Sequence, residues 1–169
     1  VALASGQAGD LGSFGKLVIC WIGTPIGGFL VAMIIYWLAR LILQSQKLNF
    51  FEMDWLLRWG LILSGIYGSY ALGANNVANV TGIYVGAGLL SVEQASLVGG
   101  LSIAAGVMTF SRNVMMTVGK GLIPLNGVGA FVAVFSHAIV VHFYAQIGVP
   151  VSTSQAIVGA VMGVGVVLQ

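Results

Sequence analysis

Six small polar side chains stand in long apolar stretches of the chain that carry no charged residue. Asn75, Asn76 and Asn79 lie in GANNVANVTG (73–82), and Ser152, Thr153 and Ser154 follow Pro150 in GVPVSTSQ (148–155). The surrounding stretches 59–92 and 121–169 hold no charged residue. An unpaired amide in hydrocarbon costs several kcal/mol, so the three asparagines must face protein, water or a ligand. Gly73 and Gly82 flank them. An unwound backbone there would add free carbonyls to the amide oxygens, the oxygen-rich setting a small hard cation requires. The second cluster has the opposite polarity. Pro150 ends one helix, Ser152 caps the next, and Thr153, Ser154 and Gln155 occupy its first turn. A helix start at membrane depth offers unpaired N–H groups and a positive dipole end, and three hydroxyls add donors for an anion.

Other side chains offer less chemistry. No H-E-x-x-H or G-x-S-x-G occurs, and Gly119-Lys120-Gly121 lacks the upstream glycine and the Ser/Thr of a P-loop. His137 and His142 are five positions apart, about 140° around a helix, so they share no ligand face and read as helix-packing or interfacial residues. Cys20 is the single cysteine and reads as small core filler without a disulfide. The sequon at Asn79-Val80-Thr81 falls at membrane depth, where no glycan is expected. An enzyme is excluded, because no nucleophile–base pair or metal-ligand set is present, and no cofactor is implied.

Composition sets what must position the two clusters. The chain has 169 residues, 59% hydrophobic and 6% charged, against about 25% charged in a soluble domain. Ten charges cannot cover a soluble globule of this size, so most of the outside faces lipid. The Lys and Arg residues are scattered singly, which rules out nucleic acid as a partner. No run alternates as a barrel strand would, so the fold is all-α.

A membrane helix is expected over 17–43, with a kink or late start at Thr24-Pro25. A surface loop over 44–58 holds Lys47, Glu52 and Asp54, with Phe50, Phe51 and Trp55 as interfacial anchors around a short amphipathic helix. The 59–92 run would measure about 51 Å as one helix, beyond a hydrocarbon core of about 30 Å, and is expected to break at 73–82. Further helices are expected over 94–111 and 121–147, with a half-helix or membrane helix over 152–168. Small-xxx-small pairs at Gly23/Gly27, Gly82/Gly86 and Gly159/Gly163 favour close helix packing. Simple alternation puts Arg40, Lys47, Arg58, Arg112 and Lys120 on one side and Lys16 on the other, so the five are expected to be cytoplasmic. The absence of an initial Met and the stop after an apolar run suggest a piece of a longer chain.

A broken helix carrying amides beside a half-helix with an exposed start is the arrangement of a secondary transporter near the bilayer midplane. The reading from another class is a non-transporting membrane scaffold subunit packed through its glycines. A scaffold has no use for three asparagines at membrane depth.

Three segments, GANNVANVTG, SRNVMMTVGKGLIPL and VPVSTSQAIVGAVMG, resemble in order the hallmarks of the inorganic phosphate transporter family called PiT. The resemblance covers 69–165. It implies a polytopic all-α bundle with broken or re-entrant helices, built from two inverted-topology repeats, multi-pass in the cell membrane. One copy of the motifs is present and its spacing resembles the second repeat, so the other repeat is a missing partner. The implied function is cation-coupled transport of inorganic phosphate, with sulfate or another oxyanion as the alternative cargo and a homo-oligomer as a possible assembly. The resemblance places Asn75, Ser152, Thr153 and Ser154 at phosphate, and Asn75, Asn76, Asn79, Ser152 and Thr153 at sodium. Many members have aspartate where Asn76 stands, and a histidine is often found at Gln155. With no Asp or Glu in the apolar runs, sodium fits better than a proton as the coupling ion.

Overall fold

The computed structural model describes residues 11–45, 49–121 and 125–168, and these form five helices with no strand among them. They are α1 (Leu11–Ser45), α2 (Phe50–Gly86), α3 (Val92–Gly121), α4 (Gly127–Gln146) and α5 (Thr153–Leu168). Large apolar side chains such as Trp21, Ile34, Trp37, Ile66, Leu101 and Phe110 point outward. The buried core is built from small ones, chiefly alanine and valine of α1, α4 and α5. That inversion of a soluble protein's pattern, with three described helices long and apolar enough to cross a membrane (Val18–Ser45, Val92–Arg112, Gly127–Gln146), makes this an all-α membrane protein.

α1 is continuous through Pro25 rather than starting late there. The proline removes one backbone donor, leaving the Trp21 carbonyl without its helical partner. α5 packs directly on this stretch. A Cβ on Gly159 would fall on the Pro25 carbonyl, one on Gly163 on the Phe29 carbonyl, and one on Gly28 on the Ala156 carbonyl. The two backbones therefore touch, as small residues allow in lipid. Of the other glycine pairs, Gly23 and Gly27 face Tyr144 and Val140 of α4, while Gly82 and Gly86 have nothing within 4 Å. α2 lies along α4, and α3 packs chiefly on α2.

The expected break at 73–82 is absent: α2 runs 37 residues without interruption. A mid-helix glycine costs about 1 kcal/mol, less than exposing unpaired backbone groups to hydrocarbon. Thr81 also returns its hydroxyl to the Val77 carbonyl at 2.8 Å. α2 also begins earlier and ends earlier than the apolar run, which closes in the turn after Gly86. Residues 50–58, expected as surface loop, are the first turns of α2, opened by the Asn49 N–H donating to Glu52 (2.8 Å) and bearing the exposed Arg58–Asp54 pair (3.3 Å). α3 and α4 depart from the expected limits, with α4 capped by Asn126 accepting from the Gly129 N–H at 2.7 Å. Lys16, Lys47 and Lys120, on which part of the orientation argument rests, lie outside the residues whose side chains are described.

Two turns reverse the chain by the same device. At Gly88 (φ 72°) the Gly88 and Leu89 N–H groups bond back to Val85 and Tyr84, and at Gly148 (φ 70°) Gly148 and Val149 bond back to Ala145 and Tyr144. This is the Schellman geometry, in which a left-handed glycine ties off the last carbonyls. Ser91 and Gln94 then form a reciprocal capping box that opens α3.

Candidate functional site

Asn75 is 4% exposed, on the face of α2 turned toward the α4–α5 turn. Its Nδ2 donates to the Val151 carbonyl (3.0 Å), and its Oδ1 accepts from the Val151 N–H (3.2 Å). The side-chain amide thus reads the backbone of Val151 as a neighbouring strand would. Val151 is buried and sits just ahead of α5. Without Asn75 its two polar groups would have no partner among the described residues.

Asn76, half-buried, accepts a further bond from Asn75 Nδ2 at 3.1 Å. Asn79 is exposed, one turn beyond Asn75 on the same face. Asn75 and Asn79 line a cavity of about 240 Å³ whose other lining residues include Gly148, Val149 and Pro150. Among the described residues the carbonyls of these three accept no hydrogen bond. They sit at the C-terminal end of α4, the negative end of its dipole.

Ser152 begins α5. Its carbonyl accepts from the Ala156 N–H (3.1 Å), and its hydroxyl accepts from the Gln155 N–H (3.4 Å). Ser152 and Thr153 are half-buried, and Ser154 and Gln155 are exposed. No side-chain bond joins the asparagine amides to the three hydroxyls among the described residues; the link runs through the main chain of Val151. Two helix ends of opposite polarity, the end of α4 and the start of α5, therefore meet at one turn held by α2.

Val151 and Tyr67 have no local signature in the sequence. Val151 contributes only backbone. His142, assigned from the sequence to packing, bonds Tyr67 of α2 through Nδ1 at 2.7 Å and Gln146 through Nε2 at 2.9 Å. Period alone put His142 on an α4 face, and only the fold supplied Tyr67. Among the described residues no group of His, Cys, Asp or Glu could hold a metal ion, so any ion at this turn would bind to neutral oxygens.

The fold and its lipid-facing surface define the class, an all-α membrane bundle with a polar cavity at an internal helix turn. The chain belongs to the phosphate transporter family, whose pattern it matches over residues 1–169, a family of transporters rather than enzymes. It is 34% identical over 161 residues to a protein of Thermococcus kodakarensis named as a phosphate permease, covering 89% of this chain and 39% of that one. It is 26% identical over 159 residues to a similarly named protein of Methanocaldococcus jannaschii (94% and 50%). With the mouse sodium-dependent phosphate transporter 1 it shares 33% over 124 residues (68% and 18%). The chain thus spans between 18 and 50% of the length of these relatives. No solved structure matches it.

Proposed function

We propose that this chain forms one of two repeats, the second, of a multi-pass cell-membrane transporter that moves inorganic phosphate with sodium. The observation that carries the reading is the Asn75–Val151 pair, which fixes two helix ends of opposite polarity around one turn. Asn75 lies 11 residues before the end of α2 at Gly86. At 1.5 Å per residue the turn is held about 16 Å short of that end, which supports a site at depth in the bilayer.

The cation belongs in the cavity at the end of α4, among the Asn79 amide, the carbonyls of 148–150 and the remaining Oδ1 lone pair of Asn75. Phosphate belongs at the start of α5, with Ser152, Thr153 and Ser154 as hydroxyl donors beside the first N–H groups. Asn76 and Thr153 complete the sodium side, and Asn75 serves both ions chiefly by seating Val151. A neutral cluster suits a sodium ion, which carries its own charge, better than a proton, which needs a base. The sodium named for the mouse relative agrees with this assignment. The missing repeat, packed against the open face of α2 and α3, supplies the remaining ligands.

The test is labelled-phosphate uptake into vesicles holding the complete polypeptide, with sodium, potassium or pH gradients imposed separately and sulfate as competitor. Each hydroxyl bonded to an anion is worth about 1.5 to 3 kcal/mol, so Ser152→Ala or Thr153→Ala should cut uptake at limiting phosphate by roughly ten- to a hundredfold. Asn76→Asp should tighten sodium dependence by adding charge beside the cavity. Unchanged uptake in all three folded variants would reduce these residues to helix caps. Uptake following sulfate, or a proton gradient, would reassign the cargo or the coupling ion.

A further inference from the structure

We infer that α2 presents a docking face for one membrane helix from the rest of the polypeptide, which crosses α2 at Ala74 and Ala78 and shuts lipid out of the cation cavity. This rests on the two-repeat reading just made, and adds where the other part sits and what it encloses.

The outward faces of α2 beyond Gly73 are of two kinds. Val80, Ile83 and Tyr84 are 58, 78 and 51% exposed, as bulky as the side chains that meet lipid elsewhere on the molecule. Ala74 and Ala78 are exposed too, one turn apart on the other side of the helix. With Val77 of α2 and Ala95 and Ser96 of α3 they line an open groove of about 480 Å³. Inside this bundle, small residues spaced four apart carry a second helix: Gly159 and Gly163 of α5 lie directly against Pro25 and Phe29 of α1. Close approach of that kind is what drives helices together in lipid. Ala74 and Ala78 offer an equivalent surface with nothing of the described chain over it.

Two further observations say what covers it. Ala74 and Ala78 line both the groove and the 240 Å³ cavity, and the exposed Asn79 stands beside them in that cavity. Ala78 is eight residues, about 12 Å, from the end of α2 at Gly86. Lipid at that depth would leave the Asn79 amide without a partner, which hydrocarbon penalises heavily. A helix across Ala74 and Ala78 excludes lipid and leaves the amide in an enclosed, wet cavity. The second observation is length. The chain spans between 18 and 50% of its relatives, so half or more of such a polypeptide lies outside it. A helix tethered in the same polypeptide also has a higher effective concentration at the groove than a second copy does.

The experiment puts the photo-crosslinking residue benzoylphenylalanine in place of Ala78, or of Ile83 as the lipid-facing comparison, in the complete polypeptide in vesicles. Protease sites are inserted at the limits of residues 1–169. After illumination and cleavage, the probe at Ala78 should keep the 1–169 fragment joined to the remainder of its own polypeptide on a denaturing gel. The probe at Ile83 should give lipid adducts and a free fragment. Where the bulky probe at Ala78 prevents folding, Val85, already large and lining the same groove, carries it. In the same polypeptide Ala78→Leu should lower the melting midpoint by about 2 to 6 °C through overpacking, while Ile83→Leu leaves it unchanged. Lipid adducts alone at Ala78 overturn the docking, and crosslinks between two complete polypeptides overturn the choice of occupant. Phosphate uptake by the native protein is read separately: joined fragments without uptake overturn the transport reading and leave the docking standing, and uptake with lipid adducts alone at Ala78 overturns the docking and leaves transport.

Discussion

Replacing Asn75 by alanine separates a residue that builds the site from one that merely lines it. The change deletes two hydrogen bonds to Val151, at 3.0 and 3.2 Å, and leaves a buried N–H and a buried carbonyl behind. Each orphaned buried group costs about 1 to 3 kcal/mol, so the loss is about 2 to 6 kcal/mol. The adjoining 240 Å³ cavity can admit water to the stranded groups, which places the expectation in the lower half of that range. Asn79→Ala removes an exposed amide from the same cavity and should cost less than about 0.5 kcal/mol. Asn75→Asp keeps the acceptor for the Val151 N–H but sets a carboxylate oxygen against the Val151 carbonyl, and should be at least as damaging as alanine. The assay is unfolding of the complete polypeptide in mixed micelles, read by protease susceptibility of the 147–152 turn. Phosphate affinity should fall with stability in Asn75→Ala, because the start of α5 loses its seat. Equal stability of the Asn75→Ala and Asn79→Ala proteins would refute the reasoning, since it would mean that Val151 finds other partners.

Two further changes probe the frame around the site. Gly159→Ala drives a methyl into the Pro25 carbonyl and should destabilise the α1–α5 contact by about 3 kcal/mol, the upper end of overpacking costs. Gly82→Ala meets nothing within 4 Å and should be neutral or stabilising by up to about 1 kcal/mol, measured in the same unfolding assay. The Ser136 hydroxyl is buried without a partner among the described residues; Ser136→Ala should raise stability by about 1 kcal/mol, and a loss of that size would show that the hydroxyl is used.

The class of protein was legible from composition, because ten charges in 169 residues leave no alternative to a lipid-facing surface. The turn at Gly148, Pro150 and Ser152 was legible too, since a left-handed glycine, a missing N–H and a capping hydroxyl each act within a few residues of themselves. That the asparagines needed partners followed from the cost of a bare amide in hydrocarbon. Who the partners were did not: Asn75 and Val151 are 76 positions apart, and Tyr67 and His142 are 75 apart. The uninterrupted α2 was misjudged for the same reason. Length and glycine content argued locally for a break, while the deciding terms were the backbone bonds a break would expose and the contact with the α4–α5 turn. Likewise, three glycine pairs of equal spacing were indistinguishable until α5 lay on α1. Capping, helix termination and hydropathy are free energies of neighbours along the chain and can be read in order. The match between a side-chain amide and one distant peptide unit is a free energy of neighbours in space, and it exists only once the helices have packed.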